Sequence, residues 1–581
     1  MVNLEHKRHT LAHLLAAAVL EFYPDALTTI GPAVDNGFYY DIKFTSPISD
    51  KDLTKIETKM KELLPTWTSF SHVEVSAEEA KAKYANNQFK LELVNEITDK
   101  GEVITLYTSG NFTDLCRGGH SDNPASDIAP DSFKLDRVAG AYWRGSEKNP
   151  MLTRIYGLAF DTKEELEACI VQREEAEKRD HRKLGKELGL FTFSDLVGSG
   201  LPLFTPKGTL IRDLIVEKIQ SIQSKYGYQK VTIPHITKKD LYVTSGHWDK
   251  FKDDLFHVKG VSNTEFVMKP MNCPHHTQIF ASEMRSYKDL PIRYAETTMV
   301  YRDEQAGELI GLSRVRSITQ DDGHAFCTVD QIEQEVQNIV EVIKEFYGLL
   351  GMFREGNYWV SLSVRDSKNL DQYLGQETNW AKAETMLESI AQKNNLNYKR
   401  VEGEAAFYGP KLDFMFKDSL GRERQLATAQ IDFVMPERFG LKYTSREGRP
   451  ETPVMIHRAI AGSLERFMAI MIEHFNGDFP LFLSPIQVAI LPVKEVHIDY
   501  AKKIQLALQE KMFRGNLLTE DNLGKRIRQA KNERANYVVV IGDKEIESGN
   551  LTIETRGSDE KLELTIEDLI TKLETEIKDR K

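Results

Sequence analysis

Two histidines four residues apart open the chemistry of this chain: His9 and His13, in HTLAH. In a helix that spacing puts both imidazoles on one stripe, where they can share a proton, a water or a metal ion. Farther on, DLCRGGH places Asp114, Cys116 and His120 within one short segment. Cys273 sits in MNCPHH, His324 in SRVRSITQDDGHAF and His457 in PVMIHRAI. One thiolate and two imidazoles suit zinc and would leave a fourth tetrahedral position for a substrate. Spacing alone gives no close-packed zinc signature, and a lone cysteine reads equally well as a small core residue.

The segment 313–326 has strand alternation. On that reading Arg314, Arg316, Gln320, Asp322 and His324 share one face, opposite Val315 and Thr319. Such a face is either solvated or a site wall. The histidine pair belongs to HKRHTLAHLLAAAVLEF, which has the basic-then-apolar order of a signal peptide. Glu5, His13 and Glu21 interrupt that pattern, and Leu14, Leu15, Ala18 and Phe22 fit a helical stripe.

Around these residues the sequence divides into several parts. ALTTIGPAVDNGFYYDIKF reads as strands broken at Gly31-Pro32 and Asn36-Gly37. Residues 163–187 are densely charged with helical spacing, a solvated connecting helix. From about 208 to 480 strand patterns come with long excursions and no regular strand–helix alternation, which implies α+β with a mainly antiparallel sheet. After PLFLSPIQ the pattern changes to VAILPV, helices near 497–512 and 524–533, and YVVVIG: a small α/β domain. No Walker loop or GxGxxG fingerprint occurs. A net charge of −12 argues against a sequence-independent nucleic-acid coat. Four cysteines in 581 residues fit a reducing, cytoplasmic setting, and no apolar run reaches the length of a membrane span.

MNCPHH, YRDEQAGELIGLSRVRSITQDDGHAF and VMIHRAIAGSLERF, with TSGHWDKFKDDLF and AAFYGPKLDF, resemble the threonyl-tRNA synthetases, a family of class II aminoacyl-tRNA synthetases. The resemblance runs from about residue 5 to the C-terminus. It implies an α+β multidomain chain: an N-terminal α+β editing domain (1–160), a connecting helix (161–190), a class II catalytic domain with an antiparallel sheet (191–483) and a C-terminal α/β anticodon-binding domain (484–581). The implied activity is ATP-dependent ligation of L-threonine to tRNA(Thr), with hydrolysis of mischarged seryl-tRNA. Implied catalytic residues are Arg302, Arg466 and His247, the last as a proton acceptor near the terminal ribose. ATP would meet Arg302, Glu304, Arg314, Gln425, Thr428 and Arg466, and bring Mg2+. Threonine would meet Gln320, Asp322, Tyr408, Lys411 and Gln430. Cys273, His324 and His457 match the family's ligands for one Zn2+ per subunit. Pro234 matches the motif 1 proline near the interface of a homodimer.

The same resemblance gives the opening pair a role. His9, His13, Lys90, Asp114, Cys116 and His120 match the editing pocket, where imidazoles and a thiol orient a water and ribose hydroxyls. Two histidines, a cysteine and a third histidine are also a zinc set, as in the related alanyl-tRNA synthetase editing domain. In the threonyl family the pocket works without a metal, so none is expected there.

The sequence also departs from the family pattern. The family commonly begins with a β-grasp module, whereas this sequence starts at the editing domain. Gly119 stands where proline is usual and Ala427 where glycine is usual; a Cβ at 427 would crowd the nucleotide or shift the strand. Gln425 and Gln430 differ in parity, so both line one pocket only if their strand carries a bulge or the pocket wraps its edge. TEDNLG (519–524) replaces the usual anticodon-reading run and Glu554 an arginine, while Glu545 is retained as an anticodon contact. Lys525, Arg526, Arg528, Lys531 and Arg534 offer a basic helix face.

Overall fold

The computed structural model describes residues 3–261 and 264–579. They form two compact units, Met1–Glu175 and Ala176–Lys581.

The first unit is built on the helix Leu4–Phe22. Its N-terminus is capped by Asn3, whose side chain accepts from the Glu5 amide, and every residue from Thr10 to Val19 is buried. An alanine-rich helix that is apolar nearly all round belongs in a core. The apolar run therefore anchors the unit, packed on the strand Gly37–Lys43 and the helix Leu53–Leu63. The strands Leu27–Thr28, Gly37–Lys43, Met151–Ala159 and Phe133–Tyr142 pair antiparallel in that order. The expected turn at Asn36-Gly37 joins Ala33–Val34 to Gly37–Lys43, with Asn36 at φ 63°. A Cβ on Gly37 would lie 1.9 Å from the Gly157 carbonyl oxygen, so only glycine permits that strand approach. A second sheet of Ser71–Val75, Ile104–Ser109 and Phe112–Leu115 carries Asp114 and delivers the chain to Cys116.

In the second unit an eight-stranded sheet runs Gln229–Lys230, Ile292–Tyr301, Ser317–Cys327, Val454–Ala459, Glu423–Asp432, Lys411–Lys417, Tyr358–Val364, Tyr398–Glu402. Only its two outermost pairs are parallel. The antiparallel core expected from the sequence is therefore present. The helices Pro206–Ser224, Ile332–Leu349 and Leu464–Phe475 share with these strands one large apolar core.

Two expectations change. The strand read over 313–326 starts at Ser317, so Arg314 and Arg316 lie in the preceding loop, off the face shared by Gln320, Asp322 and His324. That loop is bonded elsewhere: the Arg316 amide donates to Gly200 O and its guanidinium to Glu304 O. The single solvated helix read over 163–187 is two helices, Lys163–Lys178 and His181–Glu187, restarted by the Asp180 side chain accepting from the Arg182 amide. His181, Leu184 and Gly185 are buried.

The C-terminal sheet orders Gly515–Leu517, Val488–Pro492, Tyr537–Ile541, Leu551–Thr555 and Lys561–Leu564. The first three are parallel and the last two antiparallel. The helices Ile498–Glu510 and Leu523–Asn532 fall where the sequence put them. No helix among the described residues is long and apolar enough to cross a membrane.

Candidate active site

The strand Ser317–Cys327 has a working face and a supporting face. Gln320, Asp322 and His324 line a cavity of about 190 Å³, with Cys273, Arg302, Tyr408, Thr428, Gln430 and His457 around it. Behind them, Thr319 donates to Glu465 through its amide (2.7 Å) and its hydroxyl (2.6 Å). Asp321 accepts from Arg458 (2.6 Å) and from the amides of Ile460 and Ala461. The supporting face thus fixes the turn that launches the helix Leu464–Phe475, which carries Arg466.

Cys273, His324 and His457, far apart in sequence, offer ligand atoms all within 4.8 Å of one another. Sheet register does this, since His324 lies directly across from His457 on the neighbouring strand. His324 Nε2 is 3.1 Å from His457 Nδ1. His457 Nε2 donates to Asp432 (2.8 Å); a carboxylate only accepts, so the Nδ1 lone pair is left facing His324. His324 Nδ1 is likewise engaged, by His276 Nδ1 at 2.7 Å. Burial pushes the Cys273 thiol well above its ordinary range and the His324 imidazole well below. Both are therefore kept neutral until a cation draws out the thiolate.

A second cavity, of about 450 Å³, is lined by Glu304, Arg314, Gln425, Ser463 and Arg466. It shares Arg302, Gln320 and Thr428 with the first. Burial pushes the Arg302 guanidinium down, and among the described residues it has no ion-pair partner, which suits a site awaiting an anion. A bulge puts Gln425 and Gln430 on one side of the strand, where Gln425 lines the larger cavity and Gln430 the smaller. Ala427 faces Phe414 while Gln425 faces Met415, leaving Leu426 unpaired. Gln425 and Thr428 then both reach Asp413 Oδ1, at 2.7 and 2.8 Å. Ala427 is fully buried in the core, so its Cβ points away from the cavity and does not crowd it.

Lys411 hydrogen-bonds the other oxygen of Asp413. His247 is buried rather than on a cavity wall, its ring 5.9 Å from that of Tyr408, with Nδ1 2.8 Å from Ser245 Oγ. Burial, with the nearby His457 and Arg302, lowers it to about 3 and keeps it neutral.

In the first unit the six residues picked from the sequence converge. His9, His13, Lys90, Asp114 and Cys116 line one cavity of about 420 Å³, and His120 lies beside it, with Nε2 3.4 Å from Cys116 Sγ. Asp114 organises the group, accepting from Lys90 (2.5 Å), His13 Nδ1 (3.2 Å) and Tyr40 OH (2.5 Å). The Gly119 carbonyl accepts from His9 Nδ1 (3.2 Å), which leaves His9 Nε2 to accept from His13 Nε2 (3.2 Å). Gly119 stands at φ +84°, a conformation closed to the proline usual there. His9, His13, Cys116 and His120 also form a set able to hold a metal ion.

Two models match this chain: the class II tRNA synthetase core domain (G, H, P, S and T) over residues 256–475 and an anticodon binding domain over 487–576. A threonine–tRNA ligase of Gloeobacter violaceus is 46% identical over 588 aligned residues, covering 100% of this chain and 93% of its own. One of Thermus thermophilus is 46% identical over 94% of this chain and 85% of its own. The chain belongs to the threonine–tRNA ligase family. Among solved structures, one described as the RNA binding domain of threonyl-tRNA synthetase from Cryptosporidium parvum matches with TM-score 0.64 at 36% identity, covering 68% of this chain and 98% of that one. A Giardia lamblia prolyl-tRNA synthetase, at 16% identity and TM-score 0.53 over 70% of this chain and 81% of its own, shares the fold.

Within this member of the family, charge in the N-terminal pocket is separated. Burial works against a charged His13, but hydrogen bonds to Asp114 and Cys116 outweigh it and hold the imidazolium up to about 9. Burial would raise the Cys116 thiol, yet the imidazoles of His120, His13 and His9 around it bring it down to about 3. Two anions, Asp114 and Cys116, face two cations, Lys90 and His13. The sign follows for stability. His13 is raised above 6.5, so its contribution is full below 6.5 and fades as pH climbs through about 9. Cys116 is depressed below 9, so its contribution is full above 9 and fades as pH falls through about 3. Alkylation of Cys116 by iodoacetamide should accordingly run at a nearly constant rate from about pH 5 to 8. A rate climbing about tenfold per pH unit across that range would mean an ordinary thiol and no ion pair.

The basic face expected of the C-terminal helix needs correction, and Glu545 has partners of its own. Glu545 is buried and spent inside its own domain, its oxygens accepting from the Gly542 amide (2.8 Å) and Thr552 hydroxyl (2.7 Å). Arg526 is not part of a basic outer face. It is buried and donates to the carbonyls of Glu520, Asp521 and Pro492. Lys525 is paired with Asp521, Lys531 with Glu554 and Arg534 with Asp478, while Arg528 is exposed. Sequence reasoning missed the supporting groups Tyr40, His276, Asp321, Asp413, Asp432 and Glu465. Strand parity offered a faint signal for Asp413, which alternates with Lys411; nothing local marked the others.

Proposed function

We propose that this chain activates L-threonine with ATP, passes it to the 3′ end of tRNA(Thr), and hydrolyses seryl-tRNA(Thr) in its N-terminal pocket. The observation carrying this reading is that a small cavity with a Cys/His/His set and a larger arginine-lined cavity share Arg302, Gln320 and Thr428. Threonine in the first would present its carboxylate to the α-phosphate of ATP in the second, at Arg302. The carboxylate is already ionised, so no base is needed; positioning and charge stabilisation do the work. Arg302 meets the charge developing at the α-phosphate, and Arg314 and Arg466 hold the outer phosphates. Mg2+ arrives with the nucleotide. Asp322, held by Asn272 Nδ2 at 3.2 Å, accepts from the substrate ammonium or hydroxyl. Lys411, Tyr408 and Gln430 complete the threonine side, and Glu304 the adenine side.

Cys273, His324 and His457 would hold zinc. The fit rests on their sulfur and nitrogen donors and on the 3.1 Å between the two imidazole nitrogens, close to the roughly 3.3 Å that tetrahedral zinc requires. When bound, zinc supplies a Lewis acid for a hydroxyl and an amine. Valine lacks the hydroxyl, and an apolar pocket alone separates such isosteres by only about a hundredfold. Serine keeps both groups and lacks one methyl, worth about 1–3 kcal/mol, so a second sieve is needed.

That sieve is the N-terminal pocket, working without a metal. His13 and Asp114 hold the proton balance, and Cys116, His9 and His120 orient water and ribose hydroxyls. His247 would serve as proton acceptor in transfer to tRNA once the tRNA 3′ end uncovers it and relieves the burial that holds it at about 3. The 161–190 segment connects an editing domain (1–160) to a catalytic domain (191–483) and an anticodon-binding domain (484–581). The protein works as a homodimer, with the exposed Pro234 near the interface, in the cytoplasm. Threonine-dependent exchange of pyrophosphate into ATP tests the reading. Exchange with threonine and at least about a hundredfold less with valine is expected; no exchange with saturating zinc, magnesium and threonine would overturn it.

A further inference from the structure

His181 lies in RDHRKLGKELGLF, a charged stretch that reads from sequence as solvated linker. Its side chain is nevertheless buried. Nε2 accepts from the Leu312 amide at 3.1 Å, and Nδ1 stands 2.7 Å from Glu473 Oε1. A backbone amide can only donate, so Nε2 is the acceptor and the ring proton sits on Nδ1, aimed at the carboxylate. The His181 amide reaches the same carboxylate oxygen at 3.2 Å. Glu473 is fixed in turn by Arg422 on its other oxygen.

The two partners belong to the two elements that carry Arg314, paired with Glu304 and Glu308, and Arg466. Leu312 is in the loop 304–316, two residues before Arg314. Glu473 is in the helix Leu464–Phe475, two turns after Arg466. Gly311, next to Leu312, closes over the imidazole: at φ +47°, its missing Cβ would lie 2.3 Å from His181 Nε2. The pieces are cut to each other, and a larger residue at 311 would displace the ring or the loop.

We propose that His181 is a positioning residue for ATP: one imidazole ties the loop carrying Arg314 to the helix carrying Arg466, holding both arginines at the spacing the triphosphate needs. The inference rests on the reading of Arg314 and Arg466 as ATP contacts. Nothing in it involves the threonine cavity, whose walls are held by Glu465, Asp321 and Asp432, or the N-terminal pocket.

Two conservative variants divide the imidazole's bonds. His181→Asn keeps a donor for Glu473 and loses the acceptor for Leu312; His181→Gln places an oxygen near the old Nε2. In pyrophosphate exchange, His181→Asn should raise the KM for ATP about tenfold, the worth of one buried hydrogen bond, with the KM for threonine unchanged. His181→Gln should recover most of that loss, and seryl-tRNA hydrolysis should not change in either. Amide hydrogen exchange across 309–315 should speed up in His181→Asn and be restored in His181→Gln, a readout independent of activity. Gly311→Ala, which pushes on the ring from the loop side, should mimic His181→Asn if the latter folds poorly. An ATP KM within twofold of the parent in both His181→Asn and Gly311→Ala, or equal rises for ATP and threonine, would overturn the proposal. Arg466→Ala serves as the control. If it too leaves the ATP KM unchanged, the assignment of the ATP site has failed; if it alone raises it, only the role of His181 has failed.

Discussion

Cys273→Ser should lose bound metal and, with it, threonine activation by on the order of a thousandfold, while the fold persists. The substitution keeps the size of the side chain and removes the soft ligand, so packing near Phe280, Tyr294 and Phe326 changes little. What is lost is several kcal/mol of substrate polarisation and positioning, and each 1.36 kcal/mol is a factor of ten. The discrimination against valine should collapse further than the rate, because the hydroxyl no longer has a dedicated partner. Metal analysis and exchange assays with threonine and valine check the two parts separately. Unchanged metal content would remove Cys273 from the ligand set. A milder variant, His276→Ala, leaves all three ligands in place but removes the group at His324 Nδ1. It should weaken metal retention against a chelator by about 10–100-fold, as loss of a ligand's outer hydrogen bond does.

The double variant His9→Ala with His13→Ala should leave threonylation intact and slow seryl-tRNA hydrolysis by about 10²–10⁴-fold, the usual share of positioned acid–base groups. The chain Asp114–His13–His9–Gly119 carbonyl is broken at both central links, and Cys116 loses two of the three imidazoles that hold it as thiolate. The variant should therefore accumulate seryl-tRNA in the presence of serine, and Cys116 should regain pH-dependent alkylation between about pH 5 and 8. Clearance of seryl-tRNA at the parent rate would dissociate this pocket from editing, even with the alkylation profile altered.

The contrast between these two sites explains what sequence could convey. His9 and His13 declare themselves because both lie on one helix and the period of 3.6 fixes their alignment. His324 and His457 are separated by 132 intervening residues, and what joins them is sheet register, a property of pairing that neither strand encodes alone. The differing parity of Gln425 and Gln430 left two ways to bring them to one site, a bulge or a pocket wrapping the strand edge, and the strand supplies the bulge at Leu426. Parity failed at Arg314 and Arg316, where a loop bonded to Gly200 and Glu304 replaces the first turn of the inferred strand.

Charge patterns were the weakest guide. Residues 163–187 looked uniformly solvated, yet His181, Leu184 and Gly185 are buried, because Asp180 restarts the helix and turns a new face inward. Arg526 reads as one more cation on a basic helix but spends its guanidinium on three backbone carbonyls at the end of a strand and in a loop. Glu545 reads as an RNA contact, and nothing in the sequence shows that it also caps its own helix. In each case a long or polar side chain found an unsatisfied backbone group or a carboxylate that only tertiary folding brings near.

Zinc-edge X-ray absorption on the purified protein, with and without threonine, tests the central claim most directly. The account predicts one zinc per chain with one sulfur at about 2.3 Å and two imidazole nitrogens at about 2.0–2.1 Å, and light-atom ligands added when threonine binds. Sulfur should vanish from the spectrum in Cys273→Ser and remain in Cys116→Ser. A metal-free protein that still activates threonine, or sulfur ligation abolished by Cys116→Ser and untouched by Cys273→Ser, would contradict it.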